Sequence, residues 1–133
     1  MTDQKKCILI TEDEPAMQRI IADRLSENAF DVLQATNGEE GLALALEKHP
    51  DLILADVLMP KIDGMTMLTK LREDSWGKTV PVIILTNVSP DTNTMLAAIV
   101  KNQPSFYLVK SDIKLDDIIT KIKEVFASLQ TNA

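Results

Sequence analysis

The chain has a single cysteine among its 133 residues, Cys7, so an internal disulfide framework and a multi-cysteine metal site are both excluded. That suits a reducing cytosol, and a cytoplasmic protein is expected. Long apolar runs are missing too. Residues Met1 to Lys6 lead into an apolar stretch of only four, Cys7 to Ile10. A secretory core needs about 7–15 such residues and a membrane span about 20, so no membrane role is expected. Positive charge is also scarce: the formal net charge is -6, and lysines and arginines form no broad stripe. Direct nucleic-acid binding draws its affinity from neutralised phosphates and is therefore disfavoured. Linkers, internal repeats and low-complexity segments are absent as well. One domain over 1–133 is expected, with its core at about 5–129.

What is present is strongly patterned. Hydrophobic residues make up 45% of the chain and charged residues 26%, a globular balance rather than a disordered one. Short apolar runs recur at Cys7 to Ile10, Leu52 to Ala55, Val80 to Leu85 and Phe106 to Val109, with a half-polar run at Asp31 to Ala35. Runs that are apolar at every position imply strands buried on both faces of a parallel sheet, and the half-polar run implies an edge strand. Helical patterns lie between them. Met17, Ile20, Ile21 and Leu25 share one predicted face; Leu42, Ala45 and Leu46 share another, with Gly38 near that helix's start. Further helices are expected over about 63–72 and 90–100. The last runs through Leu115, Ile118, Ile119, Ile122, Val125, Phe126 and Leu129 at i, i+3, i+4, i+7 spacing. This alternation predicts an α/β fold with right-handed crossovers and a sheet covered on both faces.

In such sheets, ligands bind beyond the carboxyl ends of the strands. The first strand offers Glu12, Asp13 and Glu14 there; the third ends in Asp56, the fourth in Thr86 and the fifth in Lys110. Clustered carboxylates repel, so either their pKa values rise or a cation joins them. An all-oxygen site with open positions suits Mg²⁺. A metal-bound carboxylate beside a lysine and a hydroxyl can receive a phosphoryl group, with Asp56 as nucleophile. Mg²⁺, Lys110 and Thr86 would stabilise charge on the transferring oxygens.

These residues resemble those of the two-component response-regulator receiver domain, in its single-domain, chemotaxis-regulator-like form, from about Lys5 to Leu129. The resemblance rests on Glu12 and Asp13, the segment Asp56 to Gly64 with Met59, Pro60, Lys61 and Asp63, the segment Pro81 to Thr86, and Tyr107 to Lys110. It implies a flavodoxin-like, doubly wound, five-stranded parallel sheet of order 2-1-3-4-5 with five helices. Strands one and three then flank the switch point, where the acidic ends meet. It also implies that Asp13 binds Mg²⁺ directly and Glu12 through water. Asp56 would be both ligand and phosphorylation site, and the Leu58 backbone carbonyl a further ligand. Lys110 would pair with the phosphoryl group, the Thr86 hydroxyl would close onto it, and Tyr107 would turn inward as the switch aromatic.

The chain departs from the family pattern in places. Ser111 follows Lys110 where proline is common, position 12 is Glu, and Leu58 and Val88 are apolar where many members carry polar groups. Those polar groups help orient a hydrolytic water, so slow self-dephosphorylation is expected. Taken singly, each residue also has a plainer reading. Asp56 could cap a loop, and Glu12 and Asp13 could be first-turn acids favoured by a helix dipole. Lys110 could be a solvated lysine, and Tyr107 ordinary strand packing. His49, just before Pro50, is expected to end a helix rather than relay phosphate. Cys7 is expected to pack as a small hydrophobe. Trp76 could cover the core or meet a partner.

The resemblance implies no conventional enzyme. It implies a signalling module phosphorylated by a sensor histidine kinase or phosphotransfer protein and read by a downstream protein effector. The usual reader surface is the face of the helix near 90–100, the fifth strand and the last helix, and a phosphorylation-linked dimer stays open. No effector domain follows the final helix, so a stand-alone regulator or an excised receiver is expected. Three other readings compete. An inactive docking or dimerisation module conflicts with the full acid, threonine and lysine set. An aspartyl-phosphate hydrolase wants an acid two residues after the nucleophile, where Leu58 stands. A flavin binder wants a Gly-, Ser- or Thr-rich phosphate loop after the first strand, and none is there.

Overall fold

The computed structural model describes residues 5–55, 64–86, 106–109 and 114–131. Within them, strand and helix alternate: β1 Cys7–Thr11, α1 Pro15–Glu27, β2 Asp31–Ala35, α2 Gly38–Lys48, β3 Leu52–Ala55, α3 Gly64–Arg72, β4 Val82–Thr86, β5 Phe106–Val109 and α4 Leu115–Thr131. The helix expected near 90–100 lies outside the described residues, as do Asp56, Leu58, Val88, Lys110 and Ser111.

The strands pair in parallel in the order β2-β1-β3-β4-β5. β1 lies between β2 and β3, and Thr11 at its end lies opposite both Ala35 of β2 and Ala55 of β3. β2 is an edge and shows it: Asp31 and Gln34 are exposed while Ala35 is buried. The two faces of the sheet divide the apolar runs by parity, as a period of two demands. Ile8, Ile10, Leu52, Leu54, Ile83 and Leu85 pack with Ile21 and Leu25 of α1 and Ile119 and Ile122 of α4. Leu9, Ile53, Ala55, Val82 and Ile84 pack with Ala45 of α2 and Met67, Leu68 and Leu71 of α3. An all-apolar strand is thus a strand with a helix layer on each side.

Two helix faces differ from those predicted. On α1 the buried residues are Gln18, Ile21, Ala22 and Leu25, whereas Ile20 is 51% exposed and Met17 half-buried. The buried stripe is displaced because a glutamine occupies an inward position that hydropathy assigns to Met17 and Ile20. On α2 the buried residues are Gly38, Gly41 and Ala45, with Leu46 38% exposed. Here close approach decides: a Cβ at Gly41 would lie 2.7 Å from Thr11 Cγ2 and 3.1 Å from Met67 Sδ. Small residues face inward and the leucines straddle the edges.

The helix ends follow local chemistry. Pro15 sits in the first turn of α1, where its missing N–H costs nothing. Asn37 caps α2, its Oδ1 accepting from the Glu40 N–H at 2.8 Å, and Glu40 Oε1 accepts from the Thr36 N–H at 2.7 Å. Asn37→Ala is expected to cost about 1 kcal/mol, measured as a lower urea midpoint at unchanged slope. His49 ends α2 in the left-handed region at φ 49°, which supports its structural reading. Its ring stacks on Trp76 at 4.3 Å between centroids. Trp76 is half-buried against the α2–α3 cluster, so it covers that core layer. Across the other face, Arg24 of α1 pairs with Asp116 of α4, and Lys123 Nζ donates to Asn28 Oδ1 at 3.0 Å.

Candidate functional site

The carboxyl edge of the sheet is built from residues that end strands. Beyond Thr11 the β1–β2 ladder gains one more backbone bond, from the Glu12 N–H to the Ala35 carbonyl at 3.0 Å. That bond draws Glu12 toward β2 and leaves it 3% exposed, while Asp13 is exposed. Glu12 Oε2 accepts from the Glu14 N–H at 3.2 Å. Both acids precede α1, which starts at Pro15, so they are not first-turn helix acids. They form an acidic turn at the carboxyl end of β1.

The remaining expected residues fall around this turn to different extents. Ala55, the last residue of β3, lies opposite Thr11 and directly precedes Asp56 in the chain. Thr86 ends β4 opposite Val109, the residue before Lys110. Tyr107 lies within β5 opposite Ile84. Asp56, Leu58 and Lys110 themselves are outside the described residues. The structure therefore brings Glu12 and Asp13 together and places the strand ends that lead to the others along one edge.

The donor chemistry of this edge is that of hard oxygen. Among the described residues no three His, Cys, Asp or Glu gather at one point, so the acidic turn contributes two carboxylates and needs a third ligand from elsewhere. Among the described residues, the thiol and the imidazole lie elsewhere. Cys7 opens β1 at the opposite edge, its N–H donating to Asp51 Oδ2 and its carbonyl accepting from the Asp51 N–H, each at 2.7 Å. Burial, and then the charges of Asp51 and Asp31, push the Cys7 thiol up, so it stays protonated and a poor nucleophile near neutral pH. His49 lies just before that strand edge as well. A carboxylate-only turn fits Mg²⁺ and does not fit a thiophilic metal.

One residue of this edge has no apolar or catalytic signature in the sequence: Gln18. Its side chain is 8% exposed, and its Nε2 donates to the Glu12 carbonyl at 3.2 Å and the Ala35 carbonyl at 2.7 Å. The signal that could have found it is positional. Gln18 begins the i, i+3, i+4, i+7 series completed by Ile21, Ala22 and Leu25, where a polar residue must have buried partners. The Thr11 hydroxyl, at the end of β1, is buried with no hydrogen-bond partner among the described residues.

Known proteins resemble this chain in sequence and in fold. A family model described as the response regulator receiver domain matches residues 8–123. The DNA-binding dual master transcriptional regulator RpaA of Synechocystis is 42% identical over 79 residues, which cover 59% of this chain and 33% of that protein. The matched region thus spans about a third of the length of such curated relatives. Among solved structures, the CheY-like receiver domain protein from Methanospirillum hungatei superposes with a TM-score of 0.88 at 22% identity, covering 98% of this chain and 100% of that one. The receiver domain of Francisella response regulator 1452 gives a TM-score of 0.82 at 26% identity, covering 94% of this chain and 99% of that one.

Proposed function

The chain belongs to the response regulator receiver domain family, and from that premise we propose that it accepts a phosphoryl group on Asp56 and thereby switches a partner-binding face. Receiver domains are signalling modules of two-component systems rather than conventional enzymes. The observation that carries the proposal is the acidic turn Glu12–Asp13, held at the carboxyl edge where β3 delivers the chain to Asp56.

The donor would be a histidine kinase or a phosphotransfer protein. An Asp56 carboxylate oxygen would attack phosphorus while the bond to the donor imidazole breaks, and the imidazole would leave with a proton. Asp13, Asp56, Glu12 through water and the Leu58 carbonyl would hold Mg²⁺, which supplies neutralising charge for the transferring oxygens. Lys110 would meet the phosphoryl group, and Thr86 would close onto it with Tyr107 following. The full arrangement of five strands and five helices, with one helix over about 90–100, belongs to the same reading, as does one receiver unit with its core at about 5–129. So do a cytoplasmic location and a downstream protein effector. The DNA binding in the name of the Synechocystis relative is a property of that longer protein. This region's net charge of -6 offers no phosphate-binding stripe.

The test is intact mass after incubation with acetyl phosphate, with and without Mg²⁺, for the wild type and Asp56→Asn. A single phosphoryl adduct that requires both Mg²⁺ and Asp56 is expected. Absence of an adduct in the wild type, with Mg²⁺ also failing to bind, would instead indicate a docking module. Followed over time, the same mass reading gives the lifetime. Minutes to hours are expected, because Leu58 and Val88 offer no polar group to orient water.

A further inference from the structure

We infer that Gln18 is a positioning residue for the metal-binding turn, its buried amide locking the Glu12–Asp13 peptide against the end of β2. This rests on the reading of Glu12 and Asp13 as Mg²⁺ ligands and adds the part that holds them.

The argument starts from the end of the ladder. Thr11 and Ala35 are the last paired residues of β1 and β2, and the Glu12 N–H adds one bond to the Ala35 carbonyl at 3.0 Å. The Glu12 carbonyl accepts from a side chain of α1, that of Gln18. Gln18 Nε2 carries two hydrogens and faces two carbonyl oxygens, those of Glu12 at 3.2 Å and Ala35 at 2.7 Å, so both donors are used. The side chain continues in place of a strand. Because a peptide unit is planar, a fixed Glu12 carbonyl also fixes the Asp13 nitrogen and Cα. Glu12 is thereby held at its N–H, its carbonyl and, through the Glu14 N–H, its carboxylate. Asp13 is exposed, and among the described residues its placement follows from the peptide before it.

The position of Gln18 in the fold makes this role specific. It lies one turn into α1, its own N–H bonded to the Glu14 carbonyl at 3.0 Å, so the helix aims its amide back over the turn. A hydrophobic residue there would remove the donor to both carbonyls and with it this hold on the turn. Outer partners that orient metal ligands typically set affinity by about 10–100-fold.

The test is calorimetric Mg²⁺ titration of the wild type, Gln18→Met and Ile21→Val, with urea unfolding of each. Gln18→Met keeps length and volume and loses both donors. Ile21→Val lowers stability from the same helix without touching the turn. We expect the Mg²⁺ Kd of Gln18→Met to rise about tenfold or more, while that of Ile21→Val stays within about twofold even at equal stability loss. If Gln18→Met fails to fold, Gln18→Asn is used. Its amide is one methylene too short to reach both carbonyls, and the same rise is expected. A wild type that binds Mg²⁺ with Gln18 variants binding equally well overturns this inference alone. A rise in Kd that Ile21→Val reproduces overturns it too. A wild type that binds no Mg²⁺ overturns the metal-site reading, and this inference with it.

Discussion

Leu25→Ala is expected to lower the unfolding free energy by about 2–5 kcal/mol, whereas Ile20→Ala, five residues earlier on the same helix, should stay within about 0.5 kcal/mol. Leu25 is 0% exposed and packs with Ile8, Ile10, Ile21 and Ile122; Ile20 is 51% exposed. The cavity left by alanine cannot easily close. The Leu25 carbonyl accepts from the Asn28 and Phe30 N–H groups at 3.0 and 3.1 Å, which fixes the end of α1 and the entry to β2. A cavity term therefore adds to the lost transfer energy. Urea unfolding followed by Trp76 fluorescence reads both variants, since the chain has one tryptophan and it is half-buried. Equal losses for the two would mean that the buried face of α1 is the one hydropathy predicts.

Gly77→Ala is expected to cost about 1–3 kcal/mol from overpacking alone, although the substitution adds one methyl to a loop. The added Cβ would lie 2.1 Å from the Leu71 carbonyl oxygen and 3.0 Å from the Leu71 carbonyl carbon. Backbone at that distance cannot rotate aside, so the loop must move. The loop is also tied down. Gly77 donates to Asp74 Oδ2 at 3.0 Å, and Arg72 donates to the Gly77 and Val80 carbonyls at 2.6 and 2.8 Å. Desolvation pushes the Arg72 guanidinium below its usual range, yet an arginine stays charged at any working pH, so its bonds to those carbonyls offset a real burial cost. Any of them left unmade would add about 1–3 kcal/mol. Lys78→Ala, at the exposed neighbour, serves as the control and should be near neutral in the same urea titration. A near-neutral Gly77→Ala would mean that α3 and this loop are not in contact as described.

The strand positions were legible because burial on both faces leaves no polar position in the run: Ile8, Leu9 and Ile10 read as strand before any partner is known. The last helix was legible for a related reason, since Ile118, Ile119, Ile122 and Val125 all face the sheet and all are buried. Helices α1 and α2 were legible in part: Ile21, Leu25 and Ala45 are buried as expected, whereas Ile20 and Leu46 are exposed. In each case the inward residue is one that hydropathy does not count, Gln18 in α1 and Gly41 in α2. His49 could be assigned to a helix end from the proline beside it, but its stacking on Trp76, distant in sequence, could not.

For the candidate site, the sequence by itself orders the chemistry along the chain. Acids follow the first and third apolar runs, a threonine closes the fourth and a lysine follows the fifth, and the parallel strands deliver their carboxyl ends to one edge. Tertiary structure decided how the acidic turn is held. Glu12 is buried and Asp13 exposed, though they are adjacent acids, because one backbone bond to Ala35 draws the first under the edge of β2. The inward turn of Gln18 has the same origin. The packing of α1 over β1 and β2 brings the Gln18 amide to the Glu12 and Ala35 carbonyls.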